Sequence, residues 1–157
     1  MTRLRGRAPR GQRLVASAPH GHWQTTTMIS SVRLDGTSAC LAIEGATDHA
    51  VFHAYVREIL VPTLRPGDIV VMDNLAAHKS PSTLTLITAA GAQPRFLPAY
   101  SPDLNPIEMM WSKVKAFLRA AEARSEEELL KTIALALASV SASDARGCFA
   151  ACGYSFT

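Results

Sequence analysis

The sequence predicts an α/β domain in which short strands alternate with helices. Three observations carry this prediction: two runs rich in β-branched residues on either side of Asp35-Gly36, a continuous apolar run at positions 69–72, and helical spacing of apolar residues between and after them. Strands that alternate with helices indicate a layered domain built on a mixed sheet. The 157 residues, 48% of them hydrophobic and 18% charged, fit one globular domain with a buried core rather than a disordered chain.

The first half of the chain is predicted to form a hairpin followed by a helix. Residues 23–34 and 37–43 have the composition of strands, and Asp-Gly between two such runs is a hairpin signal. Thr47 or Asp48 can cap the helix, which Pro62 ends. Its apolar residues recur with helical spacing at Phe52, Tyr55, Val56, Ile59 and Leu60.

The second half continues the alternation of strands and helices. Positions 69–72 are typical of a strand buried on both faces, as in a parallel sheet. Ser80-Pro81 and Gly91 bracket a helix, positions 95–97 form a short strand, and a proline-rich loop at 98–106 leads into a further helix. The apolar stripe of that helix consists of Ile107, Met110, Trp111, Val114 and Leu118.

A capping box of Ser125 and Glu128 predicts where the next helix begins. From Gly147 onward we expect a short terminal segment. The inward-facing residues of the capped helix are predicted to be Leu129, Leu130, Ile133 and Leu137.

Charge and cysteine content limit the environment of the protein. The net charge of +3 permits a polyanionic partner without requiring one. Three cysteines are an odd and sparse set, which fits a reducing compartment better than a disulfide scaffold. No apolar run approaches about 18 residues, and no apolar core follows the N-terminal arginines. We therefore expect a cytoplasmic protein without a membrane span or secretory signal.

An acidic pair is the main chemical feature of the sequence. Asp73 ends the predicted strand at 69–72, at the rim where such sheets place their ligands, and Glu108 lies in the first turn of the helix after Asn105. Both acids have ordinary alternatives, since Asp73 can cap a loop and Glu108 can close a capping box. Two carboxylates that converge repel each other, and a hard divalent cation such as Mg²⁺ relieves the repulsion. Such ions can promote the cleavage of a phosphodiester bond. Because that chemistry usually takes three carboxylates, the pair is two-thirds of a site.

Histidines and cysteines give weaker signals. His78, five residues after Asp73, contacts either the outer shell of a metal or the scissile phosphate, or it is an ordinary loop histidine. His49 with His53 and Cys148 with Cys152 have i, i+4 spacing, but no third ligand accompanies either pair, so we expect both pairs to lie on exposed helix faces. The N-terminal arginines form either a solvated mobile arm or a phosphate-contacting loop.

The residues around the two acids resemble a known family. The run LPAYSPDLNPIE, which ends at Glu108, is the most specific part of the match, and 34 residues (positions 74–107) separate the two acids, a spacing typical of that superfamily. Together with Asp73-Asn74, His78, Trp111 and Lys115, this run is similar to the mariner-related bacterial insertion-sequence transposases (the insertion-sequence-630 group). The likeness covers nearly the whole chain, from the RGRAPRG arm to the terminal GY.

The resemblance implies a ribonuclease H-like fold, in which a mixed sheet is flanked by helices. It also implies a domain that uses Mg²⁺ or Mn²⁺ to cut transposon ends and join them to target DNA. Asp73 matches the second catalytic acid of the family and Glu108 the third, and both are implied metal ligands. Asn74, His78 and Asn105 are accessory candidates. The candidate phosphate contacts are Arg3, Arg5, Arg7, Arg10, Lys113, Lys115 and Arg119.

The resemblance also places the first catalytic acid, the central first strand and a helix-turn-helix region upstream of positions 1–13. We therefore expect residues 1–157 to be a partial catalytic domain that cleaves DNA poorly by itself. Without the first strand, its two neighbours expose unpaired edges. Either another chain supplies that strand, or the sheet is split, or the fold is marginally stable, and a homo-oligomer is one such arrangement.

Three functions remain open from the sequence. The leading hypothesis is a catalytic-domain fragment of a DDE-type transposase, acting on DNA in the bacterial cytoplasm near the nucleoid. The second is a non-catalytic remnant that binds DNA or an intact transposase, with salt-dependent DNA binding and no cutting. The third is a metal-dependent nuclease of another kind, which leaves the specific loop before Glu108 unexplained.

Overall fold

The four strands form two separate two-stranded sheets. The structure is a computed structural model that describes residues 6–15 and 25–155. Strands β1 (Thr26–Val32) and β2 (Ser38–Glu44) pair antiparallel, as the hairpin signal predicts, and the predicted start of β1 at Trp23 lies outside the described residues. Strands β3 (Ile69–Met72) and β4 (Gln93–Phe96) pair in parallel. The α/β class is confirmed, and of the three arrangements expected without a first strand, the described residues have the split sheet.

The hairpin turn depends on glycine at position 36. Gly36 has φ +85°, in the region that disfavours side chains, and the turn is closed by the Thr37 N–H, which donates to Asp35 Oδ1 at 2.9 Å. A Cβ at Gly36 would also lie 2.9 Å from the backbone nitrogen of Ala142. The turn therefore packs directly on the backbone of the C-terminal part of the chain.

The expected burial of β3 on both faces is wrong. Ile69 is 61% exposed, the next two residues are half-buried, and Met72 is the one buried residue of the strand. A strand becomes buried on both faces when it lies inside a wider sheet with layers above and below. In the described residues β3 has a single hydrogen-bonded neighbour, β4, so one edge of it is unpaired.

Five helices surround the strands. Helix α1 (His49–Tyr55) begins at Asp48, whose side chain accepts from the Val51 N–H, and continues through a π-helical turn to Leu60 and a 3₁₀ turn to Thr63. Pro62 therefore lies inside the 3₁₀ turn at 61–63 rather than ending the helix ahead of it. Proline is compatible with this position because the first residues of a helical turn need no backbone N–H bond. The remaining helices are α2 (Pro81–Ala89), α3 (Pro106–Ala121), α4 (Glu126–Ala138) and α5 (Ala142–Ala151).

The hairpin lies between two hydrophobic clusters. Ile29 and Leu41, which are opposite each other in the ladder, pack on the cluster formed by α1, its continuation, β3 and α2. The neighbouring pair Met28 and Ala42 faces the other way and packs on the cluster formed by α3 and α4. Alternate strand residues point to opposite faces, so one hairpin serves two cores. The predicted stripe of α3 is confirmed, with Met110, Val114 and Leu118 at most 2% exposed.

Two details of the C-terminal helices differ from the sequence-based expectation. Leu130 is 43% exposed rather than inward, and Ala136 is fully buried in its place, although the Ser125–Glu128 capping box is present as predicted. The expected terminal segment from Gly147 is in fact the second half of α5, which begins at a capping box of Ser141 and Asp144.

No single helix in the described ranges is long and apolar enough to cross a membrane. Helices α4 and α5 reach the required length and composition as a pair, but they are bent by 76° with respect to each other.

An ion pair links the two sheets. Arg33 follows β1 and Asp68 precedes β3, and the guanidinium binds both carboxylate oxygens, with Nη1–Oδ2 at 2.7 Å and Nη2–Oδ1 at 2.8 Å. Both side chains are less than a quarter exposed, at 24% and 21%. The hydrogen bonds from Arg33, with a further one from the Arg65 N–H, hold the pKa of Asp68 below its ordinary value of 3.8. Paired, two-pronged contacts of this kind fix orientation as well as distance.

Asp68→Asn is expected to lower the free energy of unfolding by about 1 kcal/mol at neutral pH, because one partner of a partly buried charged pair is lost. The pKa of Asp68 is lower in the folded state than its ordinary value of 3.8. The stability that its carboxylate contributes is therefore fully present above pH 3.8 and is lost as the pH falls from there through the folded pKa. Urea denaturation at pH 7 and at pH 3 measures both effects, and the variant should lose less stability on acidification than the wild type.

The control is Glu58→Gln, which removes the ion pair with Arg57. The side chains of this pair are largely exposed, at 57% for Arg57 and 63% for Glu58. This pair should contribute almost nothing. Equal unfolding midpoints for Asp68→Asn and Glu58→Gln at pH 7 would show that the link between the sheets does not stabilise the fold.

Candidate active site

Asp73 lies at the carboxyl end of β3 with half of its side chain exposed. Its Oδ1 accepts a hydrogen bond from the Leu75 N–H at 3.0 Å, which closes the turn after the strand. This is the loop-capping role that an aspartate takes here by default. The role occupies Oδ1 alone, and among the described residues Oδ2 makes no hydrogen bond or ion pair, at a side chain that is 53% exposed.

The structure brings His78 against Asp73. Nδ1 of His78 lies 2.7 Å from Oδ1 of Asp73, and the imidazole packs on the ring of Phe52 in α1, with centroids 4.3 Å apart. Nδ1 is buried, and its N–H is not aligned with the carboxylate, so the two groups make a close polar contact rather than a directed hydrogen bond. His78 is thus held from behind by Phe52 and faces the same oxygen that the turn already fixes.

Glu108 makes no capping hydrogen bond, so its local role is limited to a favourable charge near the N-terminus of α3. It lies in the first turn of α3 and is exposed. Asn105, the N-cap residue just before the helix, makes no side-chain capping bond. The capping box expected as the ordinary alternative is therefore absent, in contrast to the complete boxes at Ser125 and Ser141. Within the described residues the Glu108 carboxylate has no hydrogen-bonding partner. It borders a shallow groove along α3, lined also by Met109, Ser112, Lys113 and Ala116.

One loop connects the surroundings of the two acids. Its first residue, Leu97, is buried, and its N–H donates to the Met72 carbonyl at 2.8 Å, beside the start of the Asp73 turn. The loop then forms a 3₁₀ turn at Pro102–Leu104, and the hydroxyl of Tyr154 donates to the Leu104 carbonyl at 3.1 Å. It ends at Pro106, which is buried at the start of α3. Attachment at both ends and in the middle gives Glu108 a defined position.

The donor chemistry of the acids suits a hard divalent cation, but their number is small. Carboxylate oxygens are the ligands that Mg²⁺ prefers, and two half-exposed groups leave room for the waters that it retains. Oδ2 of Asp73 and the Glu108 carboxylate meet this requirement. In the part of the chain that the structure describes, no group of three or more histidine, cysteine, aspartate or glutamate side chains converges. By its chemistry, each of the two acids could supply one protein ligand to such an ion.

The basic residues predicted to contact phosphate differ in their surroundings. Lys113 is bound to Asp144, with Nζ 2.5 Å from Oδ2, and also donates to the Ser139 carbonyl at 3.0 Å, so it joins α3 to the start of α5. The hydrogen bond from Lys113, with those from Ser141, holds the pKa of Asp144 well below its ordinary range. Lys115 is exposed and Arg119 half-buried, and neither forms an ion pair with a described residue. Arg7 and Arg10 are exposed, and Arg3 and Arg5 lie outside the described residues.

The other predicted residues have simpler positions. Asn74 is exposed and Asn105 is half-buried, without a described side-chain bond. His53 is half-buried rather than on an exposed face, with Nδ1 3.0 Å from the hydroxyl of buried Thr83. Sequence reasoning did not find the support of His78 by Phe52, because the two rings are far apart in the chain and Phe52 has the helical spacing of any core residue.

Comparisons with known proteins identify the fold and the family of the chain. No curated protein matches the chain. Among solved structures, a chain in the crystal structure of the Mos1 strand transfer complex matches with a TM-score of 0.70 and 16% identity, over 99% of this chain and 51% of the other. The chain thus spans about half the length of that relative, and at this identity the likeness establishes a shared fold. The family described as DDE superfamily endonuclease matches residues 1–130, so the chain belongs to the DDE superfamily endonucleases.

Proposed function

We propose that this chain forms part of the catalytic domain of a transposase that cuts the ends of an insertion sequence and joins them to target DNA. The observation that carries the proposal is the state of Asp73 and Glu108, the two acids that match the family pattern. Both present carboxylate oxygens without a partner among the described residues, and one anchored loop connects their surroundings. Membership of the endonuclease family and the fold shared with the Mos1 chain support the reaction class. A ribonuclease H-like core of the insertion-sequence-630 type, acting at the bacterial nucleoid, completes the proposal.

In this proposal Asp73 and Glu108 hold Mg²⁺ or Mn²⁺. When bound, such an ion supplies a Lewis acid that activates a water or a 3′-hydroxyl and stabilises the leaving oxygen of a phosphodiester. The protein supplies the orientation. Asp73 is fixed through Oδ1 by the Leu75 N–H and by His78, so Oδ2 remains available to the ion. His78 acts through Asp73 as a positioning residue, and groups of this type commonly change metal affinity by about tenfold or more.

The first acid of the family pattern and the strand that carries it belong to another segment in this proposal, either of a longer polypeptide or of a second chain. The unpaired edges of β1 and β3 support this arrangement, because each strand pairs on one side alone within the described residues. An added strand would pair with both edges and remove two exposed ladders. Residues 1–157 by themselves then cleave DNA weakly, and the active form is the chain joined to that segment or assembled with it.

A non-catalytic DNA-binding or transposase-interacting remnant is the second candidate. It is favoured by one observation, the absence of a third acidic group near Asp73 and Glu108 within the described ranges. It predicts salt-dependent DNA binding that is indifferent to both acids.

Cleavage of a duplex carrying the transposon end, in Mn²⁺, tests the site. The chain supplemented with the polypeptide segment encoded upstream is expected to nick the duplex, and Asp73→Ala and Glu108→Ala should each reduce the rate by about a hundredfold or more, because each removes a metal ligand. His78→Ala should retain cleavage at saturating Mn²⁺ but require about tenfold more Mn²⁺ for half-maximal rate.

Asp103→Ala is the matched control, since Asp103 lies in the same loop, is exposed and has no role in the proposal. Cleavage that persists in Asp73→Ala and Glu108→Ala would refute the site. Binding of DNA without cleavage under every condition would instead favour the non-catalytic candidate.

The DNA contacts are tested by comparing two neighbouring lysines. Lys115→Ala is expected to weaken duplex binding and to reduce the slope of log K against log salt by about 1, without changing the melting temperature, because Lys115 has no ion-pair partner in the described structure. Lys113→Ala should lower the melting temperature, because it breaks the bonds to Asp144 and Ser139. Fluorescence anisotropy over a salt series and thermal melting measure the two effects. An unchanged salt slope in Lys115→Ala would remove this residue from the DNA interface.

A further inference from the structure

Tyr100 lies in the turn at residues 99–100 and has a left-handed backbone conformation that is uncommon for a residue with a side chain. Its φ is +57°, and the other residue besides glycine with positive φ in the described ranges is Glu122. Glu122 ends α3 in the left-handed conformation that commonly terminates helices. Tyr100 ends no helix, and a residue with a Cβ is disfavoured in this region. Strain of this kind persists where the surrounding structure imposes it, and it concentrates at functional sites.

The side chain of Tyr100 gains nothing from the fold. It is fully exposed, with a relative accessibility of 101%, and its ring packs on no other ring in the described residues. The contrast is Tyr154, whose ring packs edge-on against Phe149 at 5.6 Å and whose hydroxyl is hydrogen-bonded. Large aromatic rings contribute most when they are covered, so a fully exposed ring on a strained backbone indicates a contact made with something outside this chain.

Tyr100 lies in the loop that runs between the surroundings of the two candidate acids. This loop leaves the sheet at Leu97, which is bonded to the Met72 carbonyl beside Asp73, and it delivers Glu108 at its other end. The anchors at Leu97, at Leu104 and at Pro106 fix the backbone around Tyr100. The ring is therefore presented to solvent from a rigid support.

We propose that Tyr100 stacks on an unpaired DNA base next to the phosphodiester that reacts, an inference that rests on the proposed function. Every base has an aromatic face, and aromatic side chains bind single-stranded nucleic acid by stacking on it without sequence preference. Bases inside a duplex have both faces covered by their neighbours. The ligand is therefore an unpaired base in a single-stranded flank or overhang.

The test compares two duplexes that differ by a short single-stranded overhang containing 2-aminopurine. Tyr100→Gly should bind the overhang duplex about tenfold more weakly than the wild type and lose the quenching of 2-aminopurine, because stacking is removed. Its affinity for the blunt duplex should be nearly unchanged. Its melting temperature should not fall, because glycine tolerates positive φ. Tyr100→Phe keeps the ring, so its affinity should remain within about twofold of the wild type.

Leu135→Ala is the control, because it removes an exposed apolar side chain on α4 that has no role in the proposal, and it should bind both duplexes like the wild type. Equal binding of the overhang duplex by Tyr100→Gly and the wild type would overturn the stacking proposal while leaving the proposed function intact. A Phe variant as weak as the Gly variant would also overturn it, because the hydroxyl and not the ring would then be the contact. Wild-type protein that binds neither duplex would overturn both the stacking proposal and the proposed function.

Discussion

The parallel pairing of β3 with β4 is the constraint on which the candidate site depends. Two parallel strands end at the same edge of a sheet, so the turn that holds Asp73 and the loop that delivers Glu108 start side by side. Backbone bonds extend the ladder beyond both strands, from the Gln93 N–H to the Asp68 carbonyl and from the Leu97 N–H to the Met72 carbonyl, each at 2.8 Å. A slip of the register would move one acid relative to the other and reverse the faces of β4.

The hairpin and the ion pair position this unit within the domain. Because the hairpin packs one hydrophobic cluster on each face, the layer of α1 and α2 and the layer of α3 and α4 meet across it. No described ladder joins β1 to β3, so the Arg33–Asp68 pair replaces backbone pairing as the direct polar link between the sheets. Such a link holds one end of the two strands and leaves their free edges available to another strand.

Features that depend on neighbouring residues could be predicted, and features that depend on distant ones could not. The Asp35-Gly36 turn, the cap at Asp48 and the box at Ser125 are local, so their signals are complete in the sequence. The burial of β3 was mispredicted because it depends on how many strands flank it, which an apolar run does not encode. The contacts of His78 with Phe52 and of Arg33 with Asp68 arise from tertiary packing. The site acids themselves were placed by a family resemblance, and the structure added that neither carboxylate is fully occupied by a structural role.

The central claim is that Asp73 and Glu108 bind one divalent cation together. Iron-directed cleavage of the polypeptide tests it most directly: Fe²⁺ occupies the site, and ascorbate with peroxide generates radicals that cut the backbone beside the ligands. The account predicts two cuts, one next to Asp73 and one next to Glu108, both suppressed by excess Mg²⁺ and both lost in Asp73→Ala. Cuts beside one acid alone, or cuts elsewhere that Mg²⁺ does not suppress, would contradict a shared metal site.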